Sequence, residues 1–315
     1  MPAPELLIDT DPGVDDALAI LMAHASANVV ALTIAAGNVG LAHTVGNALN
    51  LIDRVGAETP VFAGCSVPLV FPADDAGFVH GADGFGDTGG LPSRRTASAE
   101  HAAMAIVRLA KERPGELTLV ALAPLTNIAL ALRLDHALPT RIKRLVVMGG
   151  AVNGRGNTHR APAEFNIGFD PESAHIVFSE WPAFDLVDWE ACMRHAIGFA
   201  RFDDLLGSGD ARARFYTAIS RKAHAFSLSH ERSGMILADA LAMAVALDPA
   251  IVTRSERHHV AIEMSGHLTR GATVVDWDNR LGQRANANIV LDVDRHRFEE
   301  LVACALGARE APPSR

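Results

Sequence analysis

The chain has 315 residues, 49% hydrophobic and 21% charged, which is the composition of a globular protein able to bury a large core. Its net charge of −9 disfavours nucleic acid or an anionic membrane as partner, and no uncharged apolar run of about 18 residues is present to span a bilayer. Cys65, Cys192 and Cys304 form neither a CxxC pair nor a zinc spacing, and Met1-Pro-Ala-Pro-Glu5 lacks the basic and apolar regions of a secretory signal, so buried thiols in a cytoplasmic chain are expected.

Leu6 to Ile8 reads as a short buried strand ending in aspartates, and Asp15 to Ala25 as the helix that follows. Val29 to Ala36 is the next strand, Leu41 to Val55 a helix with Leu49, Ile52 and Val55 on one face, and Val61 to Ala63 a short strand. Gly64 to Ser98 is rich in Gly and Pro without a clean period and is expected to be a long functional loop. Alternation resumes with a helix over Ala99 to Glu112, a strand over Leu117 to Leu122, a helix over Thr126 to Leu134 and a strand over Arg144 to Met148. A second irregular stretch, Gly154 to Glu164, precedes Asp170-Pro171-Glu172, which opens a helix with an N-cap acid and Pro at the first turn. Phe184 to Val187 is a strand. Arg212 to Leu228 and Ile236 to Leu247 are helices, Val260 to Met264 and Ile289 to Val293 late strands, and Arg297 to Leu306 a closing helix. The expected fold is α/β, with a mostly parallel central sheet flanked by helices and the active site at the carboxyl edge of the strands. No break in composition divides residues 1–315, so one domain is expected, with residues 310–315 as a disordered tail.

Asp9, Asp11, Asp15 and Asp16 lie within eight residues, between a strand end and a helix start. One such acid is ordinary helix capping, but four together repel one another unless a proton or a cation intervenes. An oxygen-only set suits a hard cation, Ca²⁺ or Mg²⁺.

The segment Asp9-Thr-Asp-Pro-Gly-Val-Asp-Asp-Ala17 resembles the N-terminal signature of the inosine–uridine nucleoside hydrolase family. The resemblance continues in order through Ala36-Gly-Asn38, Pro124-Leu-Thr-Asn-Ile-Ala129, Val146-Val-Met-Gly-Gly150, Ala163-Glu-Phe-Asn166, Phe169-Asp-Pro-Glu172 and Asp239 at a helix start. It implies calcium-dependent hydrolysis of the N-glycosidic bond of ribonucleosides, by a homodimer or homotetramer. Carried over residue by residue, it implies Ca²⁺ held by Asp11, Asp16, Asp239 and the Leu122 carbonyl, with Asp11 also the general base toward water. Asp15 would bond the ribose 2′-hydroxyl, Asn38 and Asn166 the lower sugar face, and Glu164 with Asn157 the 5′-hydroxyl, while Met148 packs under the sugar. Asn127 is expected to be structural. His80, in Val79-His-Gly-Ala-Asp-Gly84, resembles a base-side histidine and is the favoured proton donor to the leaving base, with His224, His230 and Arg232 as alternatives. Phe226 is a candidate for stacking on that base.

One position and one segment depart from the family pattern. Ala238 stands where many members carry a histidine that protonates the base, and Trp189-Glu-Ala-Cys-Met-Arg-His195 differs from the corresponding Thr-His type segment. Two other readings compete. Asp9-Thr-Asp11 after an apolar strand also fits the nucleophile motif of haloacid-dehalogenase phosphohydrolases, although Pro12-Gly13 and Asp15-Asp16 are foreign to it. Ala238 alone supports a ribose- or nucleoside-binding homologue without catalysis.

Overall fold

A computed structural model describes residues 3–72, 74–89 and 93–308. The expected disordered tail at 310–315 lies outside them. Ten strands are described: β1 (Glu5–Thr10), β2 (Asn28–Ile34), β3 (Val61–Ala63), β4 (Leu117–Ala121), β5 (Arg144–Met148), β6 (Phe184–Val187), β7 (Val252–His258), β8 (Val260–Ile262), β9 (Thr273–Val275) and β10 (Ala287–Val293). Eight form one sheet in the order β3-β2-β1-β4-β5-β6-β10-β7, parallel throughout except for the antiparallel β10–β7 pair. β8 and β9 make a separate antiparallel pair.

The side-chain alternation of the central strands explains the layers. Leu6 and Ile8 of β1, Val120 of β4, and Val146 and Met148 of β5 enter one core, whereas Leu7, Leu119, Leu145 and Val147 enter the other. Both sheet faces are therefore apolar, and each is covered by helices, as a parallel sheet requires. Val14–Ser26, Ala238–Leu247 and Arg295–Ala305 lie on the first face, and Ala102–Glu112, Thr126–Leu134 and Pro171–Glu180 on the second. The order reverses between β1 and β4, so their carboxyl ends open a crevice at the switch point of the sheet.

Several elements were not expected. The Gly64 to Ser98 loop contains a short helix, Gly77–His80. Leu138–Arg141, Phe165–Phe169, Trp189–Arg194 and Phe199–Leu206 are further helices. β7 is an edge strand of sequence VTRSERH whose residues are half-buried or exposed, so it lacks the apolar alternation that reveals a strand. The Val260 to Met264 strand is present as β8, but outside the main sheet.

Buried acids brace this frame. Asp9 sits on the Leu7 side of β1, where its Oδ1 accepts from Thr33 Oγ1 (2.7 Å) and Asn127 Nδ2 (2.9 Å). It is thus turned into the packing between β1, β2 and the Thr126–Leu134 helix. The Asn127 amide oxygen in turn accepts from the Cys65 N–H at 2.9 Å, a structural role. Asp170 caps Pro171–Glu180 by accepting from Ser173 N (3.1 Å), and also takes Thr126 Oγ1 (2.7 Å) and Leu69 N (3.0 Å). The three cysteines are free thiols, and Cys192 and Cys304 are buried.

Candidate active site

From β1 the chain passes through Asp11-Pro12-Gly13 into the Val14–Ser26 helix. A Cβ on Gly13 would fall 2.7 Å from His80 Nδ1 and 2.8 Å from Asn38 Nδ2, so glycine is what lets both side chains reach the helix start. Asp16 folds back over that start. Its Oδ2 accepts from Gly13 N (3.0 Å) and Asn38 Nδ2 (2.9 Å), and its Oδ1 from Thr10 Oγ1 (2.5 Å) and Asp11 N (3.3 Å). Asp11 Oδ2 accepts from Asn38 N at 2.6 Å, an approach open only because residue 37 is glycine: a Cβ there would lie 2.1 Å from that oxygen. The other oxygen, Asp11 Oδ1, is buried with no hydrogen-bond partner among the described residues.

A second helix start closes the cluster. Asp239 opens Ala238–Leu247, and carboxylate oxygens of Asp15, Asp16 and Asp239 all lie within 4.8 Å of one another. The backbone N–H groups of residues 15, 16, 239 and 238 oppose the rise in the Asp15 pKa, so the starts of both helices act on its carboxyl. Burial is the main force acting on the protons here. It pushes Asp15 up to about 6 and Asp11 and Asp239 well above the usual carboxylate range, and neighbouring acids push Asp11, Asp16 and Asp239 further in the same direction. Buried acids that mutually oppose ionisation, together with an orphaned carboxylate oxygen, are the setting a hard divalent cation fits. The geometric cluster contains Asp15 where the expected ligand set has Asp11. Asp11 borders it through its bond to Asp16 and its charge acts on Asp239. The Leu122 carbonyl, just past β4, accepts from Asn166 Nδ2 at 2.7 Å, and the same amide reaches Met148 O at 3.2 Å.

One cavity gathers most of the residues singled out by sequence. Asp15, Asn38, His80, Leu122, Met148, Asn157, Asn166, Phe226, Ala238 and Asp239 all line it. Asp11 and Asp16 do not, but both are bonded to Asn38, which does. Glu164 also stands off the lining. Its carboxylate caps the Phe165–Phe169 helix, with Oε1 accepting from Asn166 N (2.9 Å) and Oε2 from Ile167 N (3.2 Å) and Gly150 N (2.8 Å); burial raises it to about 7. His80 Nδ1 accepts from Val14 N at 3.1 Å and lies 4.0 Å from Asp15 Oδ1. Burial lowers its pKa to about 4, so it is a neutral imidazole whose Nε2 carries the proton. His224 is wedged against Phe199 and Phe202, away from the lining, and His230 is exposed with its ring 4.0 Å from Phe226.

The same cavity holds Arg232, which the sequence offered only as an alternative proton donor, together with residues that the sequence did not single out. Arg232 stands 5.1 Å over the Phe226 ring and 5.7 Å over Trp189, and Phe78 meets Phe226 edge-on at 5.8 Å. Burial lowers the Arg232 pKa, and no acid pairs with it among the described residues. Tyr216, wholly buried, also contributes to the lining. A helix face carrying Tyr216, Ala223 and Ser227 at helical spacing was the available signal, but it looks like any core-facing stripe.

The family model for inosine-uridine preferring nucleoside hydrolase matches residues 6–300. The non-specific ribonucleoside hydrolase RihC of Salmonella typhi is 35% identical over 300 residues, covering 95% of this chain and 96% of the relative. A solved inosine-guanosine nucleoside hydrolase superposes with a TM-score of 0.89 at 33% identity, over 96% of this chain and 99% of that one. A purine-preferring ribonucleoside hydrolase from Gardnerella vaginalis gives a TM-score of 0.89 at 29% identity, over 96% and 98%.

Proposed function

The chain belongs to the inosine-uridine preferring nucleoside hydrolase family and is a nucleoside hydrolase, and on that premise we propose that it hydrolyses ribonucleosides with Ca²⁺ held by Asp11, Asp16, Asp239 and the Leu122 carbonyl. The observation that carries the reading is the buried acid cluster, with its orphaned Asp11 oxygen, at the wall of the one cavity that also holds Asn38, Met148 and Asn166. When bound, the cation supplies positive charge that lets the acids stay ionised together and makes water more acidic.

The chain's own residues account for the remaining chemistry. Cleavage breaks the bond from C1′ to the base nitrogen, the electron pair leaves with the base, and water adds to C1′. Asp11 Oδ1 takes the proton of that water. Asp15, Asn38 and Asn166 surround the sugar with acceptors that stabilise the positive charge developing on it. Asn157 serves the 5′-hydroxyl, and Glu164 holds Asn166 in place through its N–H rather than meeting the sugar directly. Met148 packs under the ring.

On the base side, Ala238 has no proton to give and His80 is neutral, so Arg232 is the group we assign to the leaving base. An unpaired guanidinium beside Phe226 and Trp189 can stack on the base and donate to its acceptors. It favours a 6-oxopurine, whose O6 and N7 match the two-pronged guanidinium. His80 contributes its Nε2–H as a hydrogen bond. A nitrophenyl riboside, whose leaving group needs no such help, separates these roles. Arg232→Met should depress inosine hydrolysis by about 10²-fold, the usual scale for lost leaving-group assistance, and spare the nitrophenyl substrate. Equal losses on both substrates would assign Arg232 to sugar binding or to the shape of the cavity.

The cation is tested by release of reducing sugar from a nucleoside panel, with and without a chelator. Turnover should vanish on chelation and return with Ca²⁺ in preference to Mg²⁺. Thermal midpoints give an independent readout. Asp15 holds its proton to about pH 6 in the folded chain against 3.8 for the free group, so without cation the fold loses stability as pH rises across that range. A cation that pairs with the ionised acids removes the penalty. The gap in midpoint between calcium-loaded and chelated protein should therefore widen from about pH 5 to about pH 8. A gap that is absent at every pH would overturn the cation assignment.

A further inference from the structure

Tyr216 is the chain's single tyrosine, and its hydroxyl is buried with no hydrogen-bond partner among the described residues. The ring packs edge-on against Phe202 at 6.1 Å, deep on the inner face of the Ala211–Ser229 helix, and the residue contributes to the cavity wall. Phenylalanine would make the same apolar contacts and avoid the penalty of an unsatisfied buried hydroxyl. Asp15 and Asp239 line the same cavity as Tyr216, and burial first, then the charges of Asp15, Asp239 and Asp16, hold the proton on its hydroxyl. A buried donor without an acceptor, set against carboxylates that carry the substrate-side chemistry, has a use only when those carboxylates are ionised and engaged.

We infer that Tyr216 is a positioning residue, whose hydroxyl donates to the Asp15 carboxylate once substrate is bound and so aims Asp15 at the ribose 2′-hydroxyl. The inference rests on the proposed function, in which Asp15 reads that hydroxyl. Asp15 is well suited to being steered in this way. Its side chain keeps 20% exposure and lines the cavity, while the starts of two helices act on its carboxylate from the protein side. A neutral donor on the buried side adds a fixed direction without adding charge to a cluster that already carries three further acids.

The test is Tyr216→Phe, which removes one oxygen and leaves the packing intact. In calcium-containing buffer its kcat/KM on inosine should fall by about tenfold, the effect of one hydrogen bond to a charged acceptor. On 2′-deoxyinosine, which lacks the group Asp15 reads, the change should stay below about twofold. The thermal midpoint, with or without Ca²⁺, should be equal to or above that of the unaltered protein, since the free protein loses an unpaired hydroxyl. In an Asp15→Asn background the same substitution should have no further effect on inosine. Equal losses on the ribo- and deoxyribo-substrates, or no loss on inosine, would overturn the role of Tyr216 while leaving the hydrolase reading intact. Failure of the unaltered, calcium-loaded chain to hydrolyse any nucleoside would overturn both.

Discussion

Asp11→Asn should lower kcat/KM on ribonucleosides by about 10³-fold, within the range for loss of a general base. The geometry makes this substitution a clean one. Asp11 Oδ2 takes the Asn38 N–H at 2.6 Å and must remain an acceptor, so in the variant the amide oxygen occupies that position. The amide nitrogen then replaces Oδ1, the buried oxygen that has no partner. A proton acceptor becomes a donor at the one atom assigned to take a proton, and a cation ligand is lost with it. The change exchanges one unpartnered buried polar atom for another, so its cost to the fold is small. Asp11 is pushed up first by burial and next by Asp16, so removing its charge relieves repulsion, and the thermal midpoint of the variant in chelator should be unchanged or higher. Steady-state kinetics alongside thermal unfolding checks both parts. Retention of more than a tenth of kcat with Ca²⁺ bound would remove Asp11 from the role of base.

Discrimination against 2′-deoxyribonucleosides should be larger still, about 10⁴-fold in kcat/KM. Asp15 and Asn38 line the cavity beside the acid cluster, and Asn166 is anchored by its own amide to Leu122 O and Met148 O. A sugar hydroxyl entering this site meets acceptors already fixed by backbone bonds. An analogue without that hydroxyl leaves a buried carboxylate desolvated and unpaired, a cost that an apolar pocket would not impose. Parallel assays on inosine and 2′-deoxyinosine measure the ratio directly. A ratio near one would mean that Asp15 does not read the 2′-hydroxyl, and would leave the acids to the cation alone.

Much of this site was legible in order along the chain because its pieces are local. Asp11, Gly13, Asp15 and Asp16 fall within six residues, and a strand end followed by a tight turn and a helix start brings them together whatever the rest of the molecule does. The sheet was legible for a similar reason. β1, β4 and β5 are short apolar runs with both faces buried, separated by helices, and such a pattern leaves few arrangements other than a parallel sheet. The helix Leu41–Val55 and the strands Val61–Ala63 and Phe184–Val187 occur with the bounds their periodicity implies.

Tertiary structure alone decided the sorting of similar residues into different surroundings. Asp9 and Asp11 are two positions apart, but the first turns to Thr33 and Asn127 and the second follows the turn toward Asn38. Glu164 has the residue type of a sugar ligand, but three backbone N–H groups converge on it. Histidines that look alike in sequence divide into a buried neutral ring at His80, a core-packed ring at His224 and an exposed one at His230. Tyr216 gave no local sign of importance, since the apolar spacing of its helix looks like ordinary core packing, and Arg232 stood in the sequence only as one alternative to His80 as proton donor. Spacing along a chain carries the period of a helix or strand, because the backbone sets that period locally. It carries no information on which distant group arrives opposite a given side chain, and burial, missing partners and neighbouring charge are set by that arrival.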